Sequence, residues 1–209
     1  MNELLEDVGV VPVVVLDNAE DAVPVAKALR NGGLSVIEVT LRTAAAPEAI
    51  RRIADEVSGV IIGAGTVLNA EQVAISADAG ARFIVSPGLH ESVVIASSSK
   101  ELPLYAGVAT ATEAQAAWNM GLKTLKFFPA GQAGGVPMLK ALGSVFRDLR
   151  FMPTGGVSPA NLAEYLGLTS VIACGGSWLT PASAIEAKDY SSITKLAEEA
   201  CSLVKKLRG

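Results

Sequence analysis

The stretch that decides the fold lies near the middle of the chain and consists of Thr124-Leu125-Lys126-Phe127-Phe128-Pro129-Ala130. Its aromatic residues and closing proline are typical of a β-strand. Because strand side chains alternate between faces, we expect Thr124, Lys126 and Phe128 to share one side. Leu125 and Phe127 then share the other side. The pattern therefore places a lysine within an apolar, buried strand.

Only a few states of a lysine side chain are energetically acceptable in a buried strand. A buried ammonium without a partner costs several kcal/mol. The lysine avoids this cost by losing its proton, and the neutral amine is a nucleophile toward carbonyl carbons. Two plainer interpretations are a lysine that reaches solvent from the strand end and one that is paired with a carboxylate. The strand alone leaves all of these open.

Strand-like and helix-like patterns alternate along the whole chain. The predicted strands are 10–16, 35–41, 60–66, 82–86, 102–108, 124–130, 150–154 and 170–174. Strands that alternate with helices predict a parallel sheet with right-handed crossovers. Eight such units predict an α/β protein, a closed (β/α)8 TIM barrel that forms one domain over residues 1–209. A short N-terminal helix is expected to lie over one end, and the alternative architecture is an open doubly wound sheet.

Composition limits the class of partner. The chain has 209 residues and a net charge of −4, with its basic residues scattered, which argues against nucleic acid or a membrane surface as the main partner. No apolar run reaches the roughly 18–20 residues that span a bilayer, and the acidic start lacks the basic region of a signal peptide. We therefore expect a cytoplasmic protein.

The residue types that bind metals are sparse. Cys174 and Cys201 lack CxxC spacing, so they indicate neither a disulfide framework nor a zinc site. The only histidine, His90, stands near a predicted helix start and lacks the spacing of metal ligands. We predict a capping or surface role for His90, and neither a metal nor another cofactor.

Side chains that could take part in catalysis or binding lie where the predicted strands end. Active sites of barrel enzymes form at these strand ends. Glu38 interrupts an apolar strand and can meet Lys126 across the interior, either as a structural ion pair or as a proton-transfer group. Arg42 can fork two hydrogen bonds to a carboxylate, or lie exposed on the surface. Thr66 ends the third predicted strand and offers a hydroxyl, although a capping role fits equally.

Glycine pairs follow the last two predicted strands, at Gly155-Gly156 and Gly175-Gly176. The loops after strands seven and eight of this fold frequently bind phosphate. Glycine lets backbone N–H groups approach an anion closely and cradle its oxygens. The two pairs together predict a phosphate site at this edge of the barrel.

Six motifs in this order resemble the 2-keto-3-deoxy-6-phosphogluconate aldolase family, also called the 4-hydroxy-2-oxoglutarate aldolase family, over nearly the whole chain. They are Glu38-Val39-Thr40-Leu41-Arg42-Thr43, Gly63-Ala64-Gly65-Thr66-Val67, Ser86-Pro87-Gly88, Lys126-Phe127-Phe128-Pro129-Ala130, Pro153-Thr154-Gly155-Gly156-Val157 and Gly175-Gly176-Ser177-Trp178. The resemblance implies a cofactor-independent class I lyase, a homotrimer of barrels. It would cleave 2-dehydro-3-deoxy-6-phosphogluconate to pyruvate and glyceraldehyde 3-phosphate in the Entner–Doudoroff pathway, and 4-hydroxy-2-oxoglutarate to pyruvate and glyoxylate.

The resemblance also implies roles for individual residues. Lys126 matches the Schiff-base lysine and Glu38 the general acid/base. The residues that match positions around the pyruvate carboxylate are Arg42, Thr66 and Pro87, and Phe128 matches the residue beside the lysine. The wall for the rest of the substrate and its phosphate corresponds to Thr154, Gly155, Gly156, Gly176 and Ser177.

Three other functions stay open on the sequence. One is a sister aldolase for the 6-phosphogalactonate epimer, which differs in the orientation of a single hydroxyl. Another is an isomerase of the phosphate-binding barrel type, with Glu38 as the base and Lys126 as an electrostatic partner. The last is a sugar-phosphate-binding protein without catalytic activity.

Overall fold

The computed structural model describes residues 1–208 and contains a barrel of parallel strands surrounded by helices. The strands are β1 (Val10–Val14), β2 (Val36–Thr40), β3 (Ile61–Gly65), β4 (Ile84–Val85), β5 (Leu104–Tyr105), β6 (Gly107–Val108), β7 (Thr124–Phe127), β8 (Arg150–Pro153) and β9 (Cys174–Gly176). The α-helices are α1 (Asn2–Val8), α2 (Ala22–Asn31), α3 (Ala46–Glu56), α4 (Ala70–Asp78), α5 (Glu91–Ser99), α6 (Ala111–Asn119), α7 (Gly135–Val145), α8 (Leu162–Leu166), α9 (Ala182–Glu186) and α10 (Tyr190–Arg208). A 3-10 helix covers Ala19–Asp21.

The strands close into a ring. Hydrogen bonds give the orders β5-β4-β3-β2-β1-β9 and β6-β7-β8, and every pair is parallel. Only Ala106 separates β5 from β6, so these two strands form one stave of the ring. Bridges from Phe151 to Val171 and from Thr154 to Gly175 join the β8 side to the β9 side. The predicted barrel is confirmed, and the open doubly wound sheet is wrong.

The barrel wall separates two cores. In β2, Ile37 and Val39 belong to the outer core between strands and helices, whereas Val36 belongs to a smaller core inside the ring. Leu125 and Phe127 of β7 also face the outer core, as the alternation of that strand predicts. The side chains of Glu38 and Lys126 therefore point into the barrel.

The eighth predicted strand is placed wrongly. Residues 170–174 were favoured by their β-branched and apolar side chains, but β9 runs from Cys174 to Gly176 and pairs with β1. A Cβ atom at Gly175 would lie 2.3 Å from Thr154 Oγ1, and one at Gly176 would lie 2.5 Å from the Trp178 ring. Close approach therefore requires glycine within the strand, and Gly175-Gly176 is not the turn that the sequence suggested.

The first helix, α1, closes the end of the barrel where the strands begin. This end is called the bottom here, and the opposite end, at the carboxyl ends of the strands, is called the mouth. Leu5 of α1 is 1% exposed and packs into the inner core. Asn2 donates a hydrogen bond to Thr124 Oγ1 at 3.0 Å and accepts one from the Tyr105 hydroxyl at 3.1 Å. Burial raises the pKa of Tyr105 far above its usual value, which keeps this donor protonated.

The last helix, α10, packs on α2 along the outside of the barrel through Ile193, Ala197, Ala200 and Val204, which recur at helical spacing. Its terminal Arg208 donates hydrogen bonds to the carbonyl oxygens of Glu6 and Ile172. The contacts tie the C-terminal helix to α1 and to the bottom of the ring. Within residues 1–208, no helix combines the length and hydrophobicity needed to cross a membrane.

Truncation of Leu5 tests whether α1 stabilises the barrel by closing its bottom. Leu5→Ala removes a fully packed side chain, for which we expect a loss of about 2–5 kcal/mol in unfolding free energy. Thermal unfolding should show a Tm lowered by about 5–15 °C. The matched control is Leu68→Ala, whose side chain is 55% exposed and should change Tm by about 2 °C or less. Equal losses in both variants would contradict a buried role for α1.

Candidate active site

A lysine and a glutamate meet inside the upper half of the barrel. Lys126 Nζ of β7 lies 3.6 Å from Glu38 Oε1 of β2. Lys126 is 3% exposed and Glu38 is 0% exposed. The interpretation of Lys126 as a lysine that reaches solvent is therefore wrong, and the predicted meeting of the two side chains across the interior is confirmed.

The carboxylate of Glu38 has few other partners. Among residues 1–208, neither of its oxygens lies within hydrogen-bonding distance of a protein donor. Buried polar groups are nearly always hydrogen-bonded in native proteins, so each exception calls for an explanation. A carboxylate left with free lone pairs beside an amine has the capacity to accept and return a proton.

The ring of Phe128 borders the amine on the mouth side. Lys126 Nζ lies 5.0 Å from the centroid of this ring. Phe128 follows β7 directly and is joined to Pro129 by a cis peptide bond. A Cβ atom at Gly155 would lie 3.4 Å from the Phe128 ring, so the glycine backbone after β8 packs against it. Three positions that the sequence singled out therefore lie together.

The loop that contains Pro87 is held next to the strand that pairs with the lysine. Gly107 of β6 is the register partner of Lys126. A Cβ atom at Gly107 would lie 2.0 Å from the carbonyl oxygen of Pro87, so the loop rests on this glycine. Ser86 Oγ fixes the loop by donating a 2.8 Å hydrogen bond to the carbonyl oxygen of Gly88. Sequence reasoning missed Gly107, although a glycine inside a strand is a known sign of close backbone approach.

Thr66 carries an unusual backbone conformation. It follows β3 directly and has φ 59°, in the left-handed region that disfavours β-branched residues. Such a conformation costs about 1–3 kcal/mol and persists when the surroundings impose it. Strained residues cluster at functional sites, so this outlier supports the position of Thr66 at the mouth as a functional one.

The glycines after β8 form the turn that their sequence predicts. Gly155 has φ 89° and Gly156 has φ 79°, a pair of left-handed conformations that only glycine adopts easily. Successive backbone N–H groups in such a turn can face one anion. Thr154, which precedes them, is buried and lies against Gly175. Gly176 is buried in β9, and Ser177 is exposed directly after it.

Two predicted site residues stand apart from the pair. Arg42 follows β2 at the mouth and is exposed, and among residues 1–208 it has no carboxylate partner within ion-pair distance. It therefore forms no ion pair with the Glu38 carboxylate, and its guanidinium can bind a carboxylate of a ligand. Ser177 is likewise exposed at the rim after β9.

His90 lies outside this cluster. It is the N-cap of α5, where its side chain accepts a hydrogen bond from the Ser92 backbone N–H at 3.3 Å. The predicted capping role is confirmed. Across the part of the chain that the structure describes, no group of three or more metal-binding side chains converges.

Known proteins resemble this chain in both sequence and fold. A family model for KDPG and KHG aldolases matches residues 1–196. The KHG/KDPG aldolase of Escherichia coli K12 is 54% identical over 191 residues, which cover 91% of this chain and 90% of that protein.

Solved structures also match the chain over nearly its whole length. KDPG aldolase from Legionella pneumophila, with pyruvate captured at low pH as a covalent carbinolamine intermediate, is 43% identical with a TM-score of 0.91, and the match covers 94% of this chain and 96% of that one. The aldolase of Zymomonas mobilis ZM4 with 3-phosphoglycerate is 43% identical with a TM-score of 0.92, over 97% and 95% of the two chains. On its sequence and its fold, this chain belongs to the KDPG and KHG aldolase family.

Proposed function

We propose that this chain is a class I aldolase that cleaves 2-dehydro-3-deoxy-6-phosphogluconate to pyruvate and D-glyceraldehyde 3-phosphate through a Schiff base on Lys126. The observation that carries the proposal is the amine of Lys126, buried at the mouth 3.6 Å from a carboxylate oxygen. Family membership supports the reaction class, and the carbinolamine of the Legionella relative supports a covalent intermediate with pyruvate.

The lysine supplies an electron sink. Its neutral amine attacks the C2 carbonyl carbon to form a carbinolamine, which loses water to give a protonated imine. The C4 hydroxyl then gives up its proton as the C3–C4 bond breaks, and the bonding electrons move into the imine to form a neutral enamine. The aldehyde product leaves, C3 takes up a proton, and water releases pyruvate from the lysine.

Glu38 carries the protons in these steps. It is the only carboxylate within ion-pair distance of Lys126 among the residues that the structure describes. Its unpartnered oxygens can assist loss of water from the carbinolamine, accept the C4 hydroxyl proton and return a proton to C3. The same cycle applies to 4-hydroxy-2-oxoglutarate, which yields pyruvate and glyoxylate.

Residues around the mouth bind the rest of the substrate in this proposal. Arg42, Thr66 and Pro87 bind the carboxylate end, and Phe128 packs beside the imine. The wall for the hydroxyl and phosphate groups consists of Thr154, Gly155, Gly156, Gly176 and Ser177. The left-handed turn after β8 supports the phosphate assignment, because its N–H groups can converge on one anion. A homotrimer and a cytoplasmic location stay predictions from the sequence.

Reductive trapping separates an aldolase from an isomerase that uses the same carboxylate. Incubation with pyruvate and borohydride should reduce the imine and leave a carboxyethyl group on Lys126, read by peptide mass spectrometry. Lys123, which is surface-exposed and lies three residues before Lys126, is the internal control and should stay unlabelled. A missing label, or one on another lysine, would reject the Schiff base. Turnover that survives Lys126→Met would do the same.

Replacement of the carboxylate tests the proton carrier. Glu38→Gln keeps the shape of the side chain but cannot accept a proton in the same way, so kcat should fall by about 10²–10⁴-fold with KM little changed. The exposed Glu91→Gln is the matched control and should keep full kcat. Both epimers, gluconate and galactonate, should be assayed over a range of substrate concentrations, since the ratio of their kcat/KM values decides between the sister activities. A Glu38→Gln variant with wild-type kcat would remove Glu38 from the mechanism.

Thr66→Gly tests whether backbone strain at the mouth serves binding. Glycine relieves the left-handed strain, so the unfolding free energy should stay constant or rise by up to about 1 kcal/mol. Loss of the hydroxyl should lower kcat/KM about tenfold or more. Glu101→Gly is the matched control, because Glu101 has φ 54° but is exposed and lies before β5 at the bottom. It should show the same stability change without loss of activity; if Thr66→Gly keeps full kcat/KM, Thr66 does not bind substrate.

A further inference from the structure

Gly65 lies directly under the carboxylate of Glu38. It is the last residue of β3 and the register partner of Thr40 in β2. A Cβ atom at this position would lie 2.0 Å from Glu38 Oε1 and 2.6 Å from both Cδ and Cγ. Real Cβ atoms essentially never come within 3.0 Å of such neighbours. The Glu38 side chain therefore occupies the space that any other residue at position 65 would fill.

Backbone conformation does not explain this glycine. Gly65 does not have a positive φ, so alanine could adopt its backbone conformation. Glycine is required at this position only because a side chain would have no space. At the next position the residue types are the opposite of what backbone conformation would favour. Thr66 has the left-handed conformation that suits glycine, whereas Gly65 does not. The order Gly65-Thr66 is therefore set by the site and not by local backbone preference.

The orientation of the carboxylate depends on this contact. No protein donor within residues 1–208 hydrogen-bonds either oxygen of Glu38, so hydrogen bonds to the described protein do not fix its direction. Two contacts that the carboxylate does make are the attraction to Lys126 Nζ at 3.6 Å and the packing over the bare backbone of Gly65. Catalytic groups need to be held within about 0.5 Å of their productive geometry.

We propose that Gly65 is a positioning residue for the reaction, which fixes the Glu38 carboxylate beside the Lys126 amine by leaving a slot without a side chain. The inference rests on the proposed function of Glu38 as the proton carrier. In Gly65→Ala, Oε1 must retreat from 2.0 Å to at least 3.0 Å from the added methyl group, which displaces it relative to Lys126. A displacement of about 1 Å at a catalytic group can cost about 10²-fold in rate.

The first experiment measures proton transfer in Gly65→Ala. With pyruvate in D2O, exchange of the methyl hydrogens, followed by NMR, reports imine formation and proton removal without the aldehyde half of the reaction. Exchange and kcat should both fall by about 10²-fold, whereas KM should change less than threefold. The overturning result is a folded Gly65→Ala protein whose exchange and kcat stay within threefold of wild type.

Gly63→Ala is the matched control on the same strand and face. A Cβ atom at Gly63 would lie 2.2 Å from the Phe83 ring, an equally close contact with an apolar neighbour instead of the carboxylate. It should lower Tm by about 5 °C through overpacking, with kcat within about threefold of wild type. If Gly63→Ala loses exchange as severely as Gly65→Ala, general overpacking explains the loss and the proposal fails.

A double-mutant cycle with Glu38→Ala tests the contact itself, even if Gly65→Ala alone does not fold. Truncation of Glu38 vacates the slot, so the added methyl group should lower Tm in the wild-type background and have little effect in the Glu38→Ala background. An equal Tm loss in both backgrounds would overturn the proposal. The cycle does not depend on catalysis; absence of pyruvate exchange in the wild-type protein would instead reject the proposed function and leave the packing result intact.

Discussion

A carboxylate and an amine enclosed in the barrel are the constraint on which the rest of the structure depends. Burial of two charged groups carries a desolvation cost of several kcal/mol for each, which mutual attraction offsets only when the geometry is good. The ring provides that geometry, because Glu38 and Lys126 stand on strands that face each other across the interior at 3.6 Å. The apolar inner core and α1 lie below the pair and close the bottom of the barrel.

Much of this arrangement follows from the sequence because it depends on local pattern. The alternation of strands and helices predicts a barrel, and side-chain alternation in β2 and β7 turns Glu38 and Lys126 to the same interior. Strand ends gather at one edge of a parallel sheet, so Thr66 and Phe128 could be assigned to the mouth from their positions alone. The predicted N-terminal helix also lies at one end of the barrel, as expected.

The features that sequence reasoning missed depend on contacts between distant segments. Gly107 supports the Pro87 loop, and Gly65 makes room for Glu38; neither role is visible without knowing which residue approaches the missing side chain. The position of β9 was misjudged for the same reason. β-Propensity favours residues 170–174, whereas the close approach of Thr154 to Gly175 and of Trp178 to Gly176 requires the glycines. Asn2, which bonds to Thr124, likewise carries no local signal of its role.

The division of the interior into a mainly apolar lower layer and a polar upper layer has an evolutionary consequence. Side chains that hold the ring together, such as Leu5 and Phe83, do not overlap with the exposed rim residues Arg42 and Ser177. On the proposed assignment, Ser177 faces the phosphate end of the substrate, so mutations there are expected to leave the folding free energy largely unchanged. Natural selection can then explore new aldehyde partners at this position while the lysine and the carboxylate contact of Arg42 are retained. The residues that stabilise the fold and the residues that can change specificity are therefore different sets within one domain.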